Sequence, residues 1–356
     1  MTGYEVGLMV ALAALAASLL AALLLAHWWH GRLEARAARI RQSLLPMLAS
    51  HAEPDPRPSA PVWLDGLSRR DGRMALVACL EALPSLDPTA AKRVRTVLHR
   101  SQLARRELAR LRHRSAAVRS EACRVAGRLG GDGTVPLLVE RLRDDDYGVR
   151  REAIRALGEL RAAETVPEIA AAIEGMADWS NLLLLMALIR IGPDAAPAIG
   201  ALLGDPGARS PAMIKALLQV SSRLGVVADA ATVRALASHA DPEIRVESVR
   251  VLGAIAPDAE SLRVCLAAMD DPEWPVRAIA ASSLGRRGDA RALPRLARAM
   301  GEPAYWVRHH VADAMASLGA AGAGALQAAL LDDNPFVRDM AAQALFMRAP
   351  ADGEAA

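Results

Sequence analysis

Aromatic side chains are scarce in this 356-residue sequence: six Trp, three Tyr and two Phe, or 3% of the chain. Long β-branched runs are absent as well, so no sheet is indicated, and a composition rich in Ala, Leu and Arg favours helix throughout. Cysteine is limited to Cys79, Cys123 and Cys265, widely separated and odd in number, with no C-x-x-C pair. That excludes a disulfide framework and a cysteine zinc site, and it fits a reducing compartment. No phosphate loop, no G-x-S-x-G elbow and no Ser/His/Asp arrangement with recognisable context occurs. No cofactor or metal is therefore expected.

The formal net charge of +3 hides an asymmetry. Residues 30–125 carry 19 Lys/Arg against 9 Asp/Glu, whereas residues 126–356 carry 24 against 30. The basic portion adjoins a long apolar run, VGLMVALAALAASLLAALLLA, which covers 21 uncharged positions from 6 to 26. A helix of that length spans roughly the 30 Å hydrocarbon core of a bilayer. Tyr4 stands at one end, Trp28 and Trp29 at the other, followed by Arg32, Arg36, Arg39 and Arg41. A cleaved secretory signal would place its positive charge before the apolar run, where this sequence has only Glu5. Residues 1–29 are thus expected to be an uncleaved single-pass transmembrane anchor, with Tyr4, Trp28, Trp29, Arg32 and Arg36 at the membrane interface. The positive-inside rule puts the N-terminus outside and the bulk of the chain in the cytoplasm, at the inner membrane of a bacterium.

Residues 30–61 form a basic juxtamembrane segment and linker, with four prolines in HAEPDPRPSAP (51–61) giving an extended spacer. Helical patterning resumes near Trp63. Between Lys92 and Arg119 there are ten Lys/Arg and one acid, Glu107, while Val94, Leu98, Leu108 and Leu111 keep helical spacing. The basic faces are open to three readings: a solvated surface, attraction to anionic lipid headgroups, or nucleic acid. Nucleic acid is not expected, because no aromatics interleave the arginines and no nucleic-acid motif is present.

From residue 113 a pattern recurs: short turn, Val-Arg, then a helix ending in small residues. It begins at Val118, Val149, Leu183, Ile214, Ile244, Val276, Val307 and Val337, with steps of 30 to 34 residues. Most units carry a second apolar helix, such as TVPLLVERL or ALPRLARAM. Two helices per repeat of this length define an all-α fold, an α-solenoid of about eight helical pairs. The units at Leu183 and Ile214 lack the Val-Arg pair. DDPEWPVRAIAASSLGRRGDARALPRLARAM (270–300) closely resembles the HEAT repeat, in the short form first associated with phycobiliprotein lyases. The resemblance covers residues 113–350; residues 62–112 are expected to be a divergent helical cap and 351–356 a disordered tail.

Arg119, Arg150, Arg245, Arg277, Arg308 and Arg338 share one repeat position, usually a few residues after an acid. Such pairs are expected to cap helix starts and bridge neighbouring repeats. The aromatics also fall into register. Tyr147, Trp274 and Tyr305 lie two residues before the Val/Arg pair, and Trp306 and Phe336 lie one before it. They are expected in inter-repeat turns along one edge, either as packing or as a partner-binding ridge.

The resemblance also raises enzymatic relatives. A HEAT-repeat hydroxylase acting on the hypusine precursor binds iron through His-Glu pairs, and none of the eight histidines here precedes a Glu. His309 and His310 are adjacent on one helix and point about 100° apart, a poor pair for one metal. Asp144, Asp145 and Asp146 lie where helix capping explains them. Catalysis is not expected. The expected function is a membrane-anchored scaffold binding a membrane-associated protein; the second half also resembles bacterial HEAT proteins of envelope or exopolysaccharide glycosyltransferase systems. The alternatives are a phycobilin-lyase-like enzyme and an anionic-lipid-sensing module using residues 92–119.

Overall fold

The computed structural model describes residues 66–131, 133–176, 181–226 and 229–347, together with Gln42. The expected membrane span, its interfacial residues Tyr4, Trp28, Trp29, Arg32 and Arg36, the proline-rich linker and the 351–356 tail lie outside the described residues. Among the described residues there are eighteen α-helices and no strand, and no single helix is long and apolar enough to cross a membrane. The chain divides into two compact units, one ending at Arg141 and the other beginning at Leu142.

The first unit contains α1 (Arg69–Ala82), α2 (Pro88–Arg100), α3 (Gln102–Ala109), α4 (Ala116–Leu129) and α5 (Thr134–Arg141). Their starts are set by side-chain caps: Ser68 Oγ accepts from the Asp71 N–H, Asp87 from Thr89 and Ala90, and Ser101 from Ala104. Leu76, Cys79, Leu80, Val94, Leu98, Leu103, Val125 and Leu129 pack into one core. Val94, Leu98 and Leu111 are buried and Leu108 is partly so, which is the apolar face expected of the basic stretch. Glu107, its lone acid, is buried between Arg73 at 3.5 Å and Arg110 at 3.3 Å. The two arginines, themselves partly open to water, offset the cost of burying that carboxylate.

The second unit is two-layered. One layer stacks the first helices of successive repeats: α6 (Tyr147–Glu159), α8 (Asn181–Ile191), α10 (Pro211–Leu224), α12 (Pro242–Ile255), α14 (Trp274–Arg287), α16 (Tyr305–Ser317) and α18 (Pro335–Phe346), each against the next. The other layer is α7 (Val166–Glu174), α9 (Ala196–Leu203), α11 (Ala230–Leu236), α13 (Ala259–Ala267), α15 (Leu293–Ala299) and α17 (Gly319–Ala329). Helix α6 shows why: Val149, Ala153, Ile154, Ala156 and Leu157 are all buried, a spacing that makes two adjacent apolar faces. Each buried Val, Ile or Leu contributes about 1.5–3 kcal/mol relative to exposure.

Close stacking depends on small residues near the helix ends. At Gly285 in α14, a Cβ would lie 2.7 Å from the Cα of Ala314 in α16, so only glycine lets the two backbones approach. With α4 and α5 as the first pair, the described residues hold seven helical pairs and the first helix of an eighth. Helices α8 and α10 keep the pattern although their sequences lack Val-Arg, because Leu184, Leu188, Ile214 and Leu218 still fill the core positions.

Candidate functional site

The six repeat arginines share one geometry. In each, Nη1 donates to the backbone carbonyls six and five residues earlier: His113 and Arg114 for Arg119, Asp144 and Asp145 for Arg150, His239 and Ala240 for Arg245. Asp271 and Pro272 serve Arg277, Glu302 and Pro303 serve Arg308, and Asp332 and Asp333 serve Arg338. The arginines therefore hold the preceding turn by its carbonyls and do not cap helix starts. Capping falls to Asp146, Asp241 and Asn334, whose side chains accept from N–H groups of the first turn.

Bridging between repeats uses the other guanidinium edge. Arg245 donates Nε and Nη2 to the Asp271 carboxylate at 2.7 and 2.8 Å. Arg277 does the same to Glu302, both at 3.0 Å. Each acid belongs to the following repeat, so the Asp near an Arg in sequence is not its partner. Burial pushes the Asp271 carboxyl up, but hydrogen bonds from Arg245 and the Glu273 N–H, with the charges of Arg245 and Arg277, outweigh it and lower its pKa overall.

The five aromatics lie above this ladder, between 45% and 56% exposed. Tyr147, Trp274 and Tyr305 each open a helix, and Trp306 and Phe336 are second in theirs. The sequence pattern places them in inter-repeat turns; the structure puts each within the first helical turn, because that turn begins before the Val-Arg pair. Tyr305 and Phe336 flank Arg308, and Trp306 joins them through Tyr305. The Arg308 guanidinium carbon is 4.6 Å from the Phe336 ring centre and 5.9 Å from that of Tyr305. Trp306 meets Tyr305 edge-on at 5.4 Å, and the His309 ring stacks on Tyr305 at 6.0 Å. In AYWVRHH, then, two aromatics, an arginine and a histidine form one cluster. Trp274 makes no ring contact with it, and Tyr147 faces its own Arg150 at 5.9 Å.

Several features escaped the sequence pattern. Phe346, at the end of α18, is 81% exposed, with Leu331 and Met347 also exposed. Phe346 takes the repeat position held by Gly285 and Ala316, and that break in register was visible in the alignment of repeats. A cleft of about 500 Å³ between α6 and α8 is lined by Tyr147, Arg151, Arg155, Leu182, Met186 and Arg190. Its signal was the helix LLLLMALIRI, apolar on every face. In the 92–119 stretch, Lys92, Arg93, Arg95, Arg100, Arg105, Arg106, Arg112 and Arg114 are exposed; Arg112 pairs with Glu140 at the surface, and Arg110 is tied to Glu107.

The His309 and His310 rings are 5.6 Å apart and tilted by 52°. Among the described residues no group of three or more His, Cys, Asp or Glu could hold a metal ion. Asp146 caps α6 through the Val149 N–H, and Asp144 accepts from the Asp146 N–H.

Stacked helical pairs bridged by an arginine–acid ladder define the class: an α-solenoid repeat protein. The family profile for HEAT repeats matches residues 104–188 and 228–316, and these repeats are HEAT repeats. No curated protein matches the sequence. Among solved structures, Kap95p, in work on its binding to RanGDP, is similar at 13% identity and a TM-score of 0.47, covering 80% of this chain and 45% of its own. This chain thus spans less than half of that protein. Human deoxyhypusine hydroxylase is similar at 20% identity and a TM-score of 0.29, covering 89% of this chain and 97% of its own. The CpcE–CpcF complex of phycocyanin lyase from Nostoc sp. is similar at 16% identity and a TM-score of 0.31, covering 68% and 92%.

Proposed function

We propose that this chain is a membrane-anchored cytoplasmic scaffold that binds a protein partner at the inner membrane through its aromatic edge. The observation that carries it is the pair Tyr305 and Phe336, from consecutive repeats, flanking one buried arginine, with Trp306 packed on Tyr305 and all three rings half-exposed. Large aromatics fixed on a rigid helical frame supply contact area at little cost in ordering, and such residues dominate binding energy at protein interfaces. HEAT repeats offer this edge as one side of an extended surface. The anchor at residues 6–26 would fix where that surface works and raise its effective concentration toward membrane partners. A subunit of an envelope or exopolysaccharide glycosyltransferase system is the partner class that the sequence resemblance favours. The chain itself is proposed to do no chemistry.

The test is affinity capture of the full-length protein from gently solubilised membranes, beside a variant with Trp274, Tyr305, Trp306 and Phe336 changed to Ala. A membrane protein retained by the parent and lost from the folded variant supports the interface. Equal recovery by both moves the interface elsewhere on the solenoid. A visible absorption band in the purified protein would instead favour the lyase-like reading.

A second reading has its own observation, the eight exposed Lys/Arg between Lys92 and Arg114. They would draw the first unit toward anionic headgroups, at about 1 kcal/mol per basic residue near the surface. Binding to phosphatidylserine vesicles that is lost at high salt supports it, and binding that is indifferent to salt does not.

A further inference from the structure

The acid–arginine ladder changes character at Arg308. In the two preceding repeats the Nε–Nη2 edge of the equivalent arginine holds a carboxylate of the next repeat, Asp271 for Arg245 and Glu302 for Arg277. Arg308 is only 7% exposed, and its Nη1 is fixed by the Glu302 and Pro303 carbonyls in the same way. Its Nε, however, is buried and has no hydrogen-bond partner. Asp332 stands in register with Asp271 and Glu302, six residues before its own repeat arginine. It is exposed, and its Oδ1 accepts from the Asn334 N–H. No carboxylate among the described residues forms an ion pair with Arg308. The Phe336 ring covers the guanidinium instead.

A ring face satisfies the charge of a guanidinium but not its N–H donors. A buried charged donor without an acceptor is costly, and a bidentate carboxylate removes that cost. The arginine is also already oriented, because Nη1 is held by two carbonyls, so little freedom is lost on pairing. Resting on the protein-binding reading above, we propose that Arg308 is the specificity element of the edge: the half-exposed Phe336 ring swings off the guanidinium, whose Nε–Nη2 side receives one Asp or Glu carboxylate of the partner polypeptide beside Tyr305. The partner thereby supplies the acid that Asp271 and Glu302 supply within the chain. Asp332, at the repeat position of Asp271 and Glu302, and the adjacent Asp333 are both exposed; their charge repels runs of negative charge, which selects a single carboxylate among apolar residues. The exposed faces of Tyr305, Trp306 and Phe336 then pack on those apolar neighbours.

The experiment uses the full chain in detergent and three fluorescent octapeptides with the same apolar residues, differing only in a central Glu, Gln or phosphoserine. The Glu peptide is expected to bind at least tenfold more tightly than the Gln peptide. Arg308→Lys keeps the charge but loses the fork, and should lower that ratio at least threefold. Asp332→Asn removes the neighbouring negative charge and should tighten the Glu peptide at least threefold without changing the Gln peptide. Should Arg308→Lys fail to fold, Asp332→Asn decides alone, and an unchanged Glu peptide overturns the inference. Equal Glu and Gln binding in the parent, or a ratio that survives Arg308→Lys, overturns it as well. A phosphoserine peptide that binds more tightly than Glu makes the site a phosphopeptide reader and overturns the carboxylate assignment. If capture depends on the four aromatics while the Glu/Gln ratio is one, the interface stands and this inference falls. The reverse pattern keeps the Arg308 site and removes the aromatic interface.

Discussion

Arg277 on α14 and Glu302 ahead of α16 are joined through two parallel hydrogen bonds of 3.0 Å, while the third nitrogen of the same guanidinium holds the Asp271 and Pro272 carbonyls. One side chain thus fastens its own turn and the next repeat. Both partners are mostly buried. Glu302→Gln keeps the shape and removes the charge, and should cost about 1–2 kcal/mol of unfolding free energy. A double-mutant cycle with Arg277→Gln, read by urea denaturation, should give a coupling of similar size. Strict additivity would mean that the pair is screened in solution.

The approach of α14 to α16 should be intolerant of even one methyl group. Gly285→Ala is expected to destabilise by about 1–3 kcal/mol, because the new Cβ would sit 2.7 Å from the backbone of Ala314. Gly288→Ala is a control with a different cause. No atom lies within 4 Å, but φ is +66°, so the cost should be about 1–2 kcal/mol from backbone strain alone. Thermal melts of the two variants test both values.

All three cysteines are buried, and burial pushes the Cys265 thiol up to about 11. The thiolate is the reactive species, so a thiol reagent at pH 8 should leave the native protein unmodified. All three should react once denaturant is added. Labelling of native protein would show that a repeat opens locally.

His310 carries a pH dependence just below neutrality. Burial lowers its pKa, aided by His309, Arg286 and Arg250 and opposed by Asp313. Its folded value lies below the ordinary 6.5, so the unfolded chain takes up the proton first as pH falls. Stability should decline as pH drops below about 6.5 and level off beneath the folded pKa. His310→Gln should flatten that part of the curve, measured as urea midpoints from pH 7.5 to pH 5. An equal slope in parent and variant would place the titration elsewhere.

The edge aromatics should matter little for stability. Trp274→Ala, at a half-exposed first helical position, is expected to cost under about 1 kcal/mol, while Leu284→Ala in the same helix should cost about 2–5 kcal/mol. A large loss at Trp274 would make the edge a packing device.

Much of this was legible from spacing. The recurrence every 30 to 34 residues of a turn, an aliphatic residue usually followed by Arg, and a helix located eight first helices, and each is observed. The register of Tyr147, Trp274, Tyr305, Trp306 and Phe336 placed them at repeat starts, and each is found half-exposed in the first turn of its helix. The arginines were harder to interpret. Arg277 follows Asp271 by six residues in sequence, yet it takes the carbonyl of Asp271 and the carboxylate of Glu302. Sequence proximity suggested an Asp–Arg pair within one turn, because it carries no information on which guanidinium edge faces the neighbouring repeat.

The sequence by itself determined the helical pairs, since apolar periodicity and Gly/Pro punctuation act locally along the chain. It also determined the number of repeats, because each unit repeats the same burial pattern. Only the tertiary structure decided that Arg308 pairs with no carboxylate among the described residues, where Arg245 and Arg277 each hold one. That outcome depends on where the Asp332 carboxylate and the Phe336 ring come to rest once two repeats are stacked. Pairing between repeats is fixed by packing across some thirty residues, and no local pattern encodes it.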